Sequence, residues 1–180
     1  MLKQALIVID IQNDYFPNGK YPLANTEQTL SNIIAAIKLA KQNNAAVIFV
    51  QHLADAEQAP FFNKGSEGAA IHPKLMAASP TSPVVIKTHA DSFDQTELAH
   101  QLTALGVEQI LLCGMMTQNC ITHTALSKAA EKYQPIVLSD CCASVDEMVH
   151  QIALKAIARR VTLMTAEQAL STRPCSIGTA

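Results

Sequence analysis

The sequence lacks an excess of positive charge. Lys and Arg together number 13 against 15 Asp and Glu, so the formal net charge is -2. Proteins that hold nucleic acid or an anionic membrane surface by charge have a basic patch that raises this balance. We therefore expect neither a nucleic-acid partner nor a membrane partner, and a small molecule remains the natural ligand.

Long apolar runs are also missing. The run ALIVI (5–9) ends in Asp10, whereas a membrane span needs about 20 consecutive apolar residues. This short N-terminal run does not fit a secretory signal peptide either. We expect no span, no export signal and a cytoplasmic protein.

The sequence has no cysteine pattern that is typical of disulfide pairs or of a metal site. The five cysteines stand at positions 113, 120, 141, 142 and 175, without a CxxC or paired HxxxH element. An odd number without an export signal favours reduced thiols. The spacing gives no zinc site, and we expect no cofactor and no metal.

The chain does contain recurrent short apolar runs, mostly rich in Ile and Val. None alternates strictly in polarity, which is typical of strands buried on both faces of a parallel sheet. The runs are ALIVI (5–9), AAVIFV (45–50), VVI (84–86), QILLC (109–113), PIVLS (135–139) and the weaker VTLM (161–164).

Helical patterns separate most of these runs. They cover residues 26–41, 94–105, 118–132 and 146–159, with Asn25 and Gln28 resembling a capping box before the first. The alternation predicts one α/β domain over 1–180, with a three-layer α/β/α, doubly wound, mainly parallel six-stranded sheet of Rossmann-like type. The exception is 51–83, a long segment with four prolines that we interpret as a functional loop. We expect 171–180, which includes Cys175, to be a loosely ordered tail.

Polar side chains follow the predicted strands. Asp10, His52, Lys87, Cys120 and Asp140 come directly after the first five of them, or a few residues later in the case of Cys120. In open α/β sheets, ligands bind outside the carboxyl ends of the strands. An acid, a base and a thiol at this edge predict an active site.

Cys120 lies in the stretch CGMMTQNC (113–120). If Thr117 is the N-cap of the next helix, Cys120 falls in its first turn. The free N–H groups there would stabilise a thiolate and could also hold an oxyanion. A small apolar residue packed under the sheet is the alternative, because free cysteine is among the most buried residue types.

Several blocks resemble the signatures of the isochorismatase-like cysteine hydrolases. They are VIDIQNDYF (8–16), IKTHADSF (86–93), GMMTQNCITHTA (114–125), SDCCAS (139–144) followed by His150, and the loop FFNKGSEGAAIHPKL (61–75). Their order and spacing cover roughly residues 5 to 170. The resemblance implies a Cys–Asp–Lys triad of Cys120, Asp10 and Lys87. It also implies a cis peptide bond between Met115 and Met116, and an oxyanion hole from the backbone N–H groups of Met116 and Cys120.

The predicted reaction is hydrolysis of a C–N bond in a small amide, ureide or carbamoyl compound through a thioester on Cys120. Candidate substrate-binding residues are Phe16, His52, Phe93 and Met116, although each aromatic ring could equally be a core plug. For His52, a hydrogen bond from its side chain to backbone is slightly favoured. We interpret Asp14 as a loop-fixing residue, His72 as structural, and Asp140 and His150 as supports behind the site. Relatives of this kind usually form dimers or larger assemblies, so we expect a homo-oligomer, either a dimer or a tetramer.

The sequence departs from the family in two places. The segment QHLADAE (51–57) does not reproduce the Asp-x-His metal cluster of nicotinamidases, which supports a metal-independent site. Leu126 stands where many relatives have an Arg, which bears on a subunit contact or ion pair rather than on the triad.

Two other functions stay open. An isochorismatase-type ether hydrolase is one, and Cys120 argues against it because those enzymes lack the catalytic thiol. A non-catalytic or redox-sensing thiol protein on the same fold is the other, since one fold serves many functions.

Overall fold

A computed structural model describes residues 2–56 and 58–171. The predicted loosely ordered tail (171–180) lies outside the described residues from position 172 onward, and so does Cys175. Six parallel strands form one sheet in the order β3-β2-β1-β4-β5-β6. They are β1 (Gln4–Ile9), β2 (Ala46–His52), β3 (Val84–Lys87), β4 (Gln109–Met115), β5 (Ile136–Ala143) and β6 (Thr162–Met164). The predicted doubly wound parallel sheet is confirmed.

Helices cover both faces of this sheet. They are α1 (Thr26–Gln42), α2 (Pro73–Ala78), α3 (Leu98–Ala104), α4 (Thr122–Leu126), α5 (Glu147–Ile157) and α6 (Ala166–Leu170). Leu6 and Val8 of β1 pack with α1 on one face, whereas Ile7 and Ile9 pack with α3 and α5 on the other. Each Val, Leu or Ile buried in this way contributes about 1.5–3 kcal/mol. A strand that is apolar on both faces therefore belongs in the centre of the sheet, where β1 lies.

The strand order reverses between β1 and β4. The chain moves outward from β1 to β2 and β3, then returns and continues from β4 to β5 and β6. At such a switch point the connections leave the sheet in opposite directions and open a crevice at the carboxyl ends. Asp10 and Cys120 both follow strands that border this crevice.

Three local predictions are wrong. Asn25 makes no capping bond and adopts a left-handed φ of 56°, while the Gln28 side chain donates to Asn32 instead. The helix predicted over 118–132 is interrupted: a π-helical turn (Thr117–Ile121) leads into α4, and a 3-10 turn (Glu131–Tyr133) follows. The long 51–83 segment contains a helix, α2, because His72 caps it and Pro73 begins it.

The start of α5 depends on a side-chain cap. The Asp146 carboxylate accepts the Val149 N–H at 2.8 Å. Asp146→Ala should lower the free energy of unfolding by about 1 kcal/mol, because that N–H loses its partner. Glu147→Ala removes the same charge one residue later without a capping bond, and we expect it to change stability by less than about 0.5 kcal/mol. Urea denaturation measures both, and equal effects would contradict a capping role.

Among the helices of the described residues, none is both long and apolar enough to cross a bilayer.

Candidate active site

Asp10 lies immediately after β1. Its backbone N–H continues the sheet by donating to Val50 at 3.0 Å, and its φ of 55° turns the chain away from the strand direction. The residue is completely buried. The carboxylate is therefore held inside the protein at the carboxyl end of the central strand.

Lys87 and His52 are the last residues of neighbouring strands and pair in register. The Lys87 ammonium is buried and contacts four groups: Asp10 Oδ2 at 2.9 Å, His52 Nδ1 at 2.9 Å, the His89 carbonyl at 3.1 Å and Cys120 Sγ at 3.2 Å. An ammonium can only donate, so His52 Nδ1 accepts and a neutral His52 carries its proton on Nε2. Burial alone would lower the pKa of Lys87, but the neighbouring Asp10 carboxylate, with a hydrogen bond to the Cys120 sulfur, outweighs burial and raises it. Lys87 therefore stays charged.

Cys120 reaches this pair because β4 approaches β1 closely. Gly114 has a φ of 128°, and a Cβ there would lie 2.0 Å from the Ile9 carbonyl oxygen. Glycine is required where backbones approach this closely. The turn that follows β4 then places the Cys120 thiol beside Lys87, with only 1% of the residue exposed.

Burial raises the pKa of the Cys120 thiol, and the Asp10 charge raises it further, whereas Lys87 lowers it. The resting thiol is therefore protonated, and a nucleophilic role would require a base to remove its proton. The Asp10 carboxylate and the thiol sulfur lie within 4.8 Å of each other, which is compatible with such a transfer. Oδ2 forms an ion pair with Lys87 at 2.9 Å, and neither carboxylate oxygen has a hydrogen-bond partner among the described residues.

The peptide bond between Met115 and Met116 is cis, as the resemblance implies. The N–H of Met116 donates to no acceptor within residues 2–56 and 58–171. The carbonyl of Ala143, opposite it across the sheet, instead accepts the Thr117 hydroxyl at 3.0 Å. The backbone N–H of Met116, four residues before Cys120 in the chain, is thus a free donor.

The three donor atoms of Asp10, His52 and Cys120 lie within 4.8 Å of one another, close enough to hold a metal ion. Lys87 Nζ, however, contacts all three at 2.9–3.2 Å. With a cationic ammonium among the donors, a divalent cation there would face like-charge repulsion. The arrangement fits the ammonium rather than a metal, and the metal-independent site stays a prediction.

The candidate substrate-binding residues are distributed around this centre. Phe93 shares an apolar cluster with Cys120 and stacks on Tyr133 with ring centroids 6.0 Å apart. Phe16 packs on His72 at 4.3 Å, and Met116 is buried in the same cluster as Phe16. Substrate contact by these residues remains a prediction.

His52 is only half-buried, and its neutral ring would leave Nε2–H free to donate to a substrate. The predicted hydrogen bond from the His52 side chain to backbone is wrong. Its Nδ1 instead accepts a hydrogen bond from the Lys87 ammonium. Burial, followed by the charge of Lys87, lowers the pKa of His52 and keeps the ring neutral.

Sequence reasoning missed Gln12. This fully buried side chain accepts the His52 N–H and donates to the carbonyls of His52 and Ala69, each at 2.8 Å. The Gln12 side chain thus bonds both backbone groups of His52, as a neighbouring strand would, and holds the end of β2 in place. Gln12 lies between Asp10 and Asp14 in the block VIDIQNDYF, and this position could have indicated a role near the site.

Tyr15 was also missed. It is buried, with only 2% of the residue exposed. Burial raises the pKa of Tyr15, and the charges of Asp10 and Cys120 add to this effect. The ring packs edge-on against Phe62 at 4.6 Å, and Phe62 in turn packs against His52.

Two supporting roles differ from expectation. Thr117 does not cap the turn that it begins, because its hydroxyl donates to Ala143 and contacts His150. Asp140 lies within β5 rather than after it and accepts the N–H of Ala166 at the start of α6. It therefore supports a helix at the opposite face of the sheet.

Other supporting residues lie as expected. Asp14 fixes its loop by accepting the N–H groups of Lys20 and Phe62, and His72 caps α2. The remaining described cysteines, 113, 141 and 142, are buried free thiols.

Comparison with known proteins identifies the family. The model described as Isochorismatase domain matches residues 4–168. An uncharacterized isochorismatase family protein of Bacillus subtilis is 38% identical over 140 residues, which are 78% of this chain and 77% of that protein. The Arabidopsis thaliana protein named "Probable inactive nicotinamidase" is 28% identical over 81% of this chain and 83% of its own length. A streptothricin hydrolase of Streptomyces noursei is 27% identical over 79% of this chain and 55% of its own length.

The solved structures agree. The crystal structure of an isochorismatase hydrolase from Oleispira antarctica matches with a TM-score of 0.86 and 29% identity, over 94% of this chain and 97% of that one. The family model and the solved structure thus match nearly the same residues, which are almost all of those described. The chain belongs to the isochorismatase family of hydrolases.

Proposed function

We propose that this protein is a metal-independent cysteine hydrolase that cleaves a C–N bond of a small amide, ureide or carbamoyl compound. The single observation behind the proposal is the buried contact of a thiol, a carboxylate and an ammonium at the switch point of the sheet. Lys87 lies 2.9 Å from Asp10 and 3.2 Å from Cys120. A nucleophile beside a base that a third group orients is the general pattern of covalent catalysis. One relative bears the name streptothricin hydrolase, which agrees with a hydrolytic reaction.

The proposed reaction begins with proton transfer. Asp10 takes the proton of the Cys120 thiol as the sulfur attacks the substrate carbonyl, so a C–S bond forms and the carbonyl oxygen becomes an oxyanion. The N–H groups of Met116 and Cys120 stabilise that oxyanion. Lys87 remains charged throughout and balances the negative charge as it moves from carboxylate to sulfur.

Collapse of the tetrahedral intermediate breaks the C–N bond. Asp10 returns its proton to the leaving nitrogen, which departs as ammonia or an amine and leaves a thioester on Cys120. Asp10 then activates a water that attacks the thioester, and the acid leaves as the thiol regains its proton. No step requires an oxidant, a reductant or a cofactor.

Cys120→Ala should abolish turnover while the protein stays folded, because the nucleophile is lost. We would screen small amides, ureides and carbamoyl compounds for release of ammonia or amine by the unaltered protein, then test the variant. Cys141→Ala is the matched control, since Cys141 is an equally buried thiol in the apolar cluster on the other face of the sheet. Mass spectrometry of an acid-quenched reaction should find the acyl group on Cys120.

Other outcomes would favour one of the two alternative functions. Full activity in Cys120→Ala would exclude the thioester route. Cleavage of a vinyl ether by the unaltered protein, with no ammonia or amine released from any compound in the screen, would favour the ether hydrolase. Oxidation of Cys120 without turnover of any substrate would favour the redox-sensing alternative. Assembly as a dimer or tetramer stays part of the proposal, and light scattering of the purified protein would test it.

A further inference from the structure

The turn that carries Cys120 is tied to α5 by one buried hydrogen bond. Thr117 begins this turn, and its hydroxyl oxygen lies 3.0 Å from the Ala143 carbonyl and 2.8 Å from His150 Nδ1. Thr117 and Ala143 are buried, and His150 is only 8% exposed. These contacts join the end of β5, the turn and α5 at one oxygen atom.

The directions of the two hydrogen bonds follow from the atoms. A carbonyl oxygen can only accept, so the single hydroxyl hydrogen of Thr117 is committed to Ala143. The hydroxyl oxygen must then accept from His150, and the His150 proton must lie on Nδ1. Burial lowers the pKa of His150, which keeps the ring neutral near pH 7 and leaves Nε2 without a proton.

We propose that His150 is a positioning residue that fixes the Met116–Cys120 segment by donating its Nδ1–H to Thr117. This inference rests on the proposed function, because it assigns a purpose to the segment that would supply the thiol and the oxyanion donors.

The segment needs such a support. The N–H of Met116 has no partner within the described residues, so no hydrogen bond at that atom fixes its direction. One residue further on, the Gln118 side chain accepts from Ser144 at 2.7 Å and reaches the Met116 sulfur. Thr117 directly follows Met116, and of its two side-chain hydrogen bonds the one to His150 comes from a helix. Oxyanion stabilisation requires donors within a few tenths of an ångström of their place, and a misplacement of 1 Å can reduce rate about 100-fold.

Substitutions at position 150 separate positioning from packing. The Asn amide nitrogen lies close to the place of His Nδ1, whereas the Gln amide nitrogen lies closer to that of Nε2. His150→Ala should therefore reduce acylation of Cys120 about 10- to 100-fold, His150→Asn should restore most of it, and His150→Gln should not. His100→Ala, at an exposed histidine of α3, is the control and should have no effect.

The probe is p-nitrophenyl acetate, whose ester carbonyl accepts the same attack and releases one p-nitrophenolate per acylated thiol. We expect the limiting burst rate to fall in His150→Ala with little change in the half-saturating ester concentration. Equal losses in the Ala and Asn variants would overturn the positioning role. Absence of a burst in the unaltered protein would overturn the proposed acylation chemistry instead.

The tautomer tests the inference without any turnover. Two-bond ¹H–¹⁵N correlation spectra of the unaltered protein distinguish a proton on Nδ1 from one on Nε2. His150 should be the Nδ1–H tautomer, and it should remain so in Cys120→Ala. A proton on Nε2 at neutral pH would remove the hydrogen bond to Thr117 and overturn the inference, whatever the ester assay gives.

Discussion

Lys87→Met should abolish turnover and lower the free energy of unfolding by about 3–5 kcal/mol, the usual result of removing one partner of a buried ion pair. Asp10 would then keep a fully buried carboxylate without the ammonium that lies 2.9 Å from it, and an unpaired buried charge is costly. In the proposed reaction the ammonium also balances the negative charge that moves from Asp10 to the Cys120 sulfur, so stability and activity should fail together.

A double-mutant cycle isolates the pair. We would measure urea unfolding of Lys87→Met, Asp10→Asn and the combined variant. Each single change leaves one buried group without its partner, so the combined variant should lose clearly less than the sum of the two. Additive losses would mean that the 2.9 Å contact between these residues has no energetic coupling.

An exposed ion pair provides the matched control for this cycle. Lys74 and Glu27 lie 3.4 Å apart, but their side chains are 65% and 57% exposed. Water already solvates both, so Lys74→Met should change the free energy of unfolding by less than about 1 kcal/mol. A comparable loss at the two lysines would show that burial is not the cause.

The places of Asp10, Lys87 and Cys120 in the fold could be predicted because they follow from the order of the strands. Apolar runs without alternation indicate buried parallel strands, and the carboxyl ends of parallel strands meet at one edge. Asp10, Lys87 and Cys120 were therefore assigned to the same edge from chain position alone, although Cys120 lies five residues beyond the end of β4. The family blocks added the prediction that these three residues act together.

The rest could not be predicted because tertiary contacts decide it. Thr117 has the residue type of a helix cap, yet its hydroxyl binds Ala143 and His150, which are more than twenty residues away along the chain. Asn25 has the same preference but adopts a left-handed φ without capping. Local propensity is a weak guide where a stronger partner from another element is available.

Stability should fall steeply as the pH rises above about 9. Burial raises the pKa of all four described thiols, to about 12 for Cys142, and also the pKa of Tyr15. The pKa of Lys87 is raised as well, through its charged neighbours. A group whose pKa is raised by folding stabilises the native state below its unfolded pKa, and this contribution is lost as the pH rises towards the folded value. Unfolded thiols ionise near pH 9, so the unfolded chain releases protons that the native chain retains.

The expected slope follows from the number of protons. Each proton retained only by the native state changes the free energy of unfolding by about 1.4 kcal/mol per pH unit, so four thiols give a fall of about 5 kcal/mol per unit above pH 10. A typical domain has only about 5–15 kcal/mol of stability, so alkaline unfolding should occur within one to three units of pH 9. Cys141→Ala should make the slope shallower by about a quarter, whatever it does to stability at neutral pH. Urea unfolding from pH 8 to 11 in the presence of a reductant measures both slopes. A flat profile would mean that these thiols ionise in the native protein and that water reaches the site around Cys120.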